Sequence, residues 1–164
     1  MVSEVRDGVL VLDSRGGLGL SSFGDVSYEL VVSDLERLVV SGSGDVEGSD
    51  VVGDELRIRV EGSGDVDLDG VDTGEVRVEI DGSGEVSLSG RATSAALSIQ
   101  GSGGVDADDL RVVEADVSIE GSGDVAVDAG RALRVSISGS GSVTYSRDPE
   151  VTSDIDGSGS VERD

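Results

Sequence analysis

The chain has 164 residues, of which 35 are Asp or Glu and 12 are Lys or Arg, for a formal net charge of −23; it holds neither Cys nor His. Those counts exclude a disulfide framework, thiol chemistry and imidazole bases or metal ligands, and so acidic a surface repels nucleic acid and anionic membrane. No apolar run approaches the roughly 18 residues of a membrane-spanning helix.

Length fits one domain, expected over 1–164. The apolar residues are nearly all Val, Leu, Ile and Ala, with Phe23, Tyr28 and Tyr145 the only aromatics. Every basic residue is Arg, and Asn is absent, which removes N-glycosylation sequons. High acid without Lys or Cys resembles the composition of salt-accumulating halophile proteins. Met1-Val2-Ser3-Glu4 has no basic segment leading into an apolar one, so no signal peptide reads there and a truncated start is expected.

In chain order, Val9-Leu10-Val11-Leu12 reads as a short strand, Arg15-Gly16-Gly17 as a turn, and Ser27 to Val32 as a strand-like run. A worn motif, Ser22-Phe23-Gly24-Asp25-Val26, then precedes a strict repeat. Gly-Ser-Gly begins at Gly42, Gly62, Gly82, Gly101, Gly121, Gly139 and Gly157, a period of 18–20 residues that stays regular from about 22 to 161. Fixed self-similarity at such a period marks a stacked-repeat architecture.

Within a repeat, Val76, Val78 and Ile80 alternate with Arg77, Glu79 and Asp81, and the alternation resumes after the corner with Val86 and Leu88. Period two means strands with one face buried, and no window has the helical period. Each repeat is expected to hold two short strands around the corner, with a third segment near Val51-Val52, Val71 or Leu110 returning the chain.

Aligning the corners produces columns. Val26, Val46, Val66, Val86, Val105, Val125, Val143 and Val161 follow the corner; Val40, Val60, Ile80, Ile99, Ile119, Ile137 and Ile155 precede it by two; Leu38, Ile58, Val78, Leu97, Val117, Val135 and then Ser153 precede it by four. A single coil buries too few aliphatics to offset the ordering of its backbone, so the coils must stack. The fold class is therefore all-β, a parallel β-helix (solenoid) of about seven to eight coils, right-handed by the general preference of parallel crossovers. The corner glycines permit positive φ and close approach of adjacent levels, and the serine hydroxyl is expected to bond neighbouring backbone or the next serine.

The recurring I-x-G-S-G-D-V pattern resembles the auto-transporter adhesin head family, the GIN-domain family, over about residues 5 to 164. The resemblance implies a right-handed parallel β-helix and an extracytoplasmic, cell-envelope setting.

Two polar columns are candidates for chemistry. Asp25, Asp45, Asp65, Glu85 and Asp124 follow the corner, interrupted by Gly104 and giving way to Ser142 and Ser160. Carboxylates in a row are what calcium coordination uses, and also what a solvated acidic edge looks like. Arg37, Arg57, Arg77 and Arg134 form a second column, broken by Ala96, Asp116 and Thr152, with Glu55, Glu75 and Glu114 two positions earlier. These can pair on one strand face or grip an acidic polysaccharide.

Carboxylates are too abundant for any pair to signal catalysis, the links are too short to wall a cleft, and three aromatics cannot line a sugar platform; Tyr145 reads as packing in the terminal coil. The expected function is a non-catalytic envelope- or surface-associated module, adhesive or structural. A calcium-binding acidic solenoid and, less favoured, a polysaccharide-acting enzyme are the alternatives. No catalytic residue, metal ligand or cofactor is assigned, no partner is specified, and the expected state is a monomer or a weak end-to-end oligomer.

Overall fold

The computed structural model describes residues 2–6, 9–13, 29–32 and 34–164. The chain divides into two compact units, Met1–Val31 and Val32–Asp164. In the first, β1 (Val2–Arg6) pairs antiparallel with β2 (Val9–Asp13), Val5 standing opposite Leu10. The strand expected at Val9 to Leu12 is thus present, with a partner that the sequence reading did not identify. The turn at Arg15-Gly16-Gly17, the worn motif with Asp25 and Val26, and Ser27-Tyr28 lie outside the described residues.

Leu30, Val31 and Val32 are exposed and belong to no strand. The run expected to be a strand there is apolar without alternating, so it has no wet face to set against a buried one, and no ladder partner is found for it among the described residues.

The second unit is a parallel β-solenoid, with no helix among the described residues. Its strands are β3 (Arg37–Gly42), β4 (Val46–Ser49), β5 (Val52–Gly62), β6 (Val66–Gly82), β7 (Glu85–Gly101), β8 (Gly104–Gly121), β9 (Asp124–Gly139), β10 (Ser142–Ser146), β11 (Glu150–Gly157) and β12 (Ser160–Arg163). Each of β6 to β9 runs from one corner to the next as a single strand of 16 to 18 residues rather than as the separate short strands expected. The coil bends within these strands, where the register shifts between Leu68 and Val71, Ser87 and Gly90, and Ala107 and Arg111. An irregularity bends a strand and keeps most of its ladder paired.

The columns read from the sequence are stacked residue on residue. Val46 lies beside Val66, Val66 beside Val86, and the row continues through Val105, Val125 and Val143 to Val161. Val40, Val60, Ile80, Ile99, Ile119, Ile137 and Ile155 form another. Because successive side chains point to opposite faces, one such coil turns Val86, Leu88, Ala92, Ala95, Leu97 and Ile99 inward as a closed apolar ring. Tyr145 is half-buried against this core, as expected for a packing residue.

The corners hold the levels together through backbone. The N–H of Ser83 donates to the carbonyl of Gly62 at 2.9 Å, and that of Ser122 to Gly101 at 2.8 Å. The corner serine side chains are exposed and donate no hydrogen bond among the described residues, so the ladder expected of their hydroxyls is made by their amides. Gly82 has φ +141°, which L side chains rarely adopt. Gly103 is constrained differently: a Cβ there would lie 2.6 Å from the carbonyl oxygen of Gly84 and 2.8 Å from Cγ2 of Ile80. The second glycine and the β-branched residue of the level below therefore fit as a pair, which explains why Ile or Val recurs with the glycines.

Candidate functional site: the outer sheet face

The residues that alternate with the core in β5 to β9 and β11 form one outer face. On β5 and β6 it is dense with charge. Arg57 holds Glu55 with two hydrogen bonds of 2.7 and 2.8 Å, and Arg77 donates to Glu75 at 2.6 Å. These are the two-apart pairs expected from the sequence, formed along a strand. Arg59 does more: it donates to Glu61 at 2.8 Å on its own level and to Glu79 at 2.6 Å and Asp81 at 2.7 Å on the next. Its hydrogen bond with Glu61, helped by the charges of Asp81, Glu61 and Glu79, raises the Arg59 pKa above the ordinary guanidinium value against its desolvation. Hydrogen bonding to Glu75 raises that of Arg77 in the same way.

One level on, the face changes character. β7 presents Ser94, Ala96, Ser98 and Gln100, with no charge. Ser98, Ser118 and Ser136 are in register as a column of small hydroxyls, beside the column in which Arg77, Ala96, Asp116 and Arg134 succeed one another. Arg134 reaches Asp116, its register neighbour in the same column, across levels at 3.3 Å. Shortening the side chains here opens a trough of about 430 Å³. Its lining runs over five levels, from Arg77 and Glu79 to Thr152 and Asp154. The sequence reading marked Ala96 only as a break in the Arg column. The signal it passed over was that one whole outer row loses its charge at that level.

The acidic column after the corner has a structural role. Asp45 accepts the backbone N–H of Asp65 at 3.2 Å, Asp65 accepts that of Glu85 at 3.0 Å, and Asp124 accepts the Ser142 hydroxyl. Each carboxylate thus ties its level to the next. Among the described residues no three acidic side chains converge as a metal site would require.

A second groove, about 530 Å³, lies at the bulged side of the coils and includes Asp72, Arg91, Arg111 and Asp128. These four are in register as a charge column. Their steps of 19, 20 and 17 residues, set by the bulges, hide the column from a search for a fixed period. Arg91 donates to Asp72 at 2.9 Å, and this hydrogen bond holds the Asp72 carboxyl below the usual carboxylate range against its desolvation. Arg147 reaches back from the loop after β10 to the buried Asp128 at 2.6 and 2.7 Å. Asp108, at the rim, is shifted the other way: hydrogen bonding to Asp106, then the Asp106 charge and a little burial, raise its carboxyl.

Comparisons with solved structures agree with this architecture. A structure described as a "putative adhesin" from Bacteroides fragilis NCTC 9343 matches with TM-score 0.72 and 29% identity, over 79% of this chain and 61% of that one. A "putative lipid binding protein" from Parabacteroides distasonis ATCC 8503 matches with TM-score 0.67 and 27% identity, over 79% and 62%. A "putative adhesin" from Parabacteroides merdae ATCC 43184, at 18% identity and TM-score 0.62, shares the fold over 82% of this chain and 94% of that one. The chain spans about three fifths of the first two proteins. Among curated proteins no sequence matches. Residues 1–149 match the family described as "Putative auto-transporter adhesin, head GIN domain", and the chain belongs to that family.

Proposed function

We propose that this chain is a non-catalytic, extracytoplasmic module of the cell envelope or surface that works by contact, presenting the outer face of a stiff solenoid to a partner. The observation that carries this reading is the outer face itself. Its charged half is self-satisfied, with Arg57, Arg59 and Arg77 each engaged by carboxylates, while beyond it the face opens into a trough where small side chains alternate with charged ones such as the paired Asp116 and Arg134. A surface tied up in its own ion pairs is prepared for docking rather than for proton transfer, which needs a carboxyl poised near the working pH. The family description and the adhesin descriptions of two structural neighbours support the same role.

The test has two parts. Intact source cells are shaved with protease and probed for the protein, and the purified chain is immobilised and tested for capture of whole cells or isolated envelope. Loss of signal on shaving together with capture is expected. A protein protected from shaving and found wholly in the cytoplasmic fraction would overturn the reading.

A further inference from the structure

The trough on the outer face has a shape, a floor and a charge balance that together select a class of ligand. We propose that it receives a neutral, extended glycan strand lying along the stack, an assignment that deepens the surface-contact reading and rests on it for its biological setting.

Shape comes first. The lining spans five levels, so at 4.7–4.9 Å per level the trough is about 19 Å from first to last. Its volume of about 430 Å³ lies within the ~300–1,000 Å³ typical of ligand clefts. A long, shallow, straight site fits a linear polymer better than a compact molecule. The repeat of an extended pyranose chain is also near the spacing of the levels, so about one sugar falls on each level.

The floor sets the chemistry. Ala96 offers an apolar patch to the carbon face of a sugar ring, and Ser98, Ser118 and Ser136 present hydroxyls in register, each both a donor and an acceptor. The backbone beneath them is already paired in the ladder and offers little to a peptide strand seeking main-chain partners. Adjacent hydroxyls of a sugar suit the forked donors and acceptors at the margins, Arg134 and Asp116, which already hold one another at 3.3 Å.

Charge then separates neutral glycans from acidic ones. Two guanidiniums and three carboxylates line the trough, and the chain as a whole carries −23. A polyuronate would approach against that field with no surplus of Arg to receive it, whereas a neutral strand meets no such barrier. No aromatic ring lines the site, so affinity comes from several weak contacts along the strand and grows with its length.

The experiment follows backbone amide resonances of the full 164-residue chain during titration with three hexasaccharides. Two are neutral, a β-1,4-linked glucose hexamer and a β-1,4-linked N-acetylglucosamine hexamer; the third is a galacturonate hexamer. At least one neutral hexamer is expected to move the amides of Ser98, Ser118 and Ser136, and its trimer to bind more weakly. Ser118 is exposed, so Ser118→Arg should fold normally and fill the trough, weakening binding by about tenfold or more. The proposal is overturned if neither neutral hexamer moves these amides, if galacturonate binds better than both, or if Ser118→Arg binds unchanged. Envelope capture by Ser118→Arg separates the two readings: capture that survives the loss of glycan binding leaves surface contact standing without the trough. Glycan binding by a protein confined to the cytoplasm would leave the trough standing without the surface role.

Discussion

The inside and the outside of the same strands obey different rules. Along β6 to β9 the inward position two before the corner is Ile at every level, Ile80, Ile99, Ile119 and Ile137, all at most 1% exposed. The neighbouring outward position passes from Glu79 to Ser98, Ser118 and Ser136. An inward residue must fill space between the levels above and below, so a change at one level is felt at two others. An outward residue meets water and a few side-chain partners, three in the case of Arg59. Repetition thus records the packing of the stack, and departure from repetition on the outer face marks where a partner can be recognised.

Adjacent glycines at one corner give the sharpest test of this contrast. A Cβ at Gly103 would press on Gly84 and Ile80, whereas at Gly104 the nearest atoms are 3.7 and 3.8 Å away. Gly103→Val is expected to destabilise by about 4–5 kcal/mol, near the upper end for single substitutions. Gly104→Asp should stay within about 0.5 kcal/mol of wild type and restore the interrupted acidic column. Chemical denaturation reads both. Equal stability of the two variants would mean that the corner glycines are there for the bend alone.

A smaller version of the contrast lies on one strand. Ile99→Ala empties part of a fully packed ring and should cost about 2–5 kcal/mol, while its outward neighbour Ser98→Ala should cost less than about 0.5 kcal/mol. Ile155 occupies the same column in the last coil but is 38% exposed, so Ile155→Ala should fall between them. If Ile155→Ala cost as much as Ile99→Ala, the last coil would be packed against something more than its own levels.

Thr73 breaks the rule from within. It sits in the core beside Ala92, 7% exposed, and its hydroxyl finds no hydrogen-bond partner. A buried hydroxyl without a partner costs about 1–3 kcal/mol. Thr73→Val keeps the branched shape and removes that penalty, so melting should rise by an amount equivalent to about 1 kcal/mol. A fall in stability would show that the hydroxyl has a partner in solution.

How much of this was legible in the sequence depends on whether a feature repeats. Val86, Ile99 and Leu97 recur in step with Gly82 and Gly84, and that recurrence alone specified parallel stacking, the core columns and the Arg57–Glu55 pairing. The antiparallel pairing of Val2–Arg6 with Val9–Asp13 occurs once and so was missed. The column through Asp72, Arg91, Arg111 and Asp128 was hidden because the bulges between Ser87 and Gly90 and between Ala107 and Arg111 change the spacing. The corner serines bond through a different atom from the one their type suggests: a serine invites a hydroxyl ladder, but adjacent levels already bring amide and carbonyl to 2.8–2.9 Å. The trough was hardest to read, because it is made by what the outer row lacks at Ser94, Ala96 and Ser98.

The smallest expected effects come from two carboxyls on the outside whose pKa values move in opposite directions. The hydrogen bond from Arg91 lowers the folded-state pKa of Asp72, so its stabilising contribution is present above the unfolded-state value, about 3.9, and is lost as the pH falls through the folded value. Hydrogen bonding to Asp106, with the repulsion between the two, raises that of Asp108. The folded state then binds a proton more tightly than the unfolded chain, and the ionised pair works against folding at neutral pH. Asp72→Asn should therefore lower the melting temperature at pH 7, and Asp108→Asn should raise it slightly. Both differences should fade as the pH drops below the respective lower pKa of each group, the folded value for Asp72 and the unfolded value for Asp108. Asp108 is exposed and Asp72 only half-buried, so shifts of about 1–2 °C are expected, and molar salt should reduce them. Melting curves of the three proteins between about pH 3 and 7 check the signs. Shifts in the same direction at neutral pH would mean that the Asp106 charge does not burden the ionised Asp108 in the folded chain, and that the rim of the second groove carries its charge without strain.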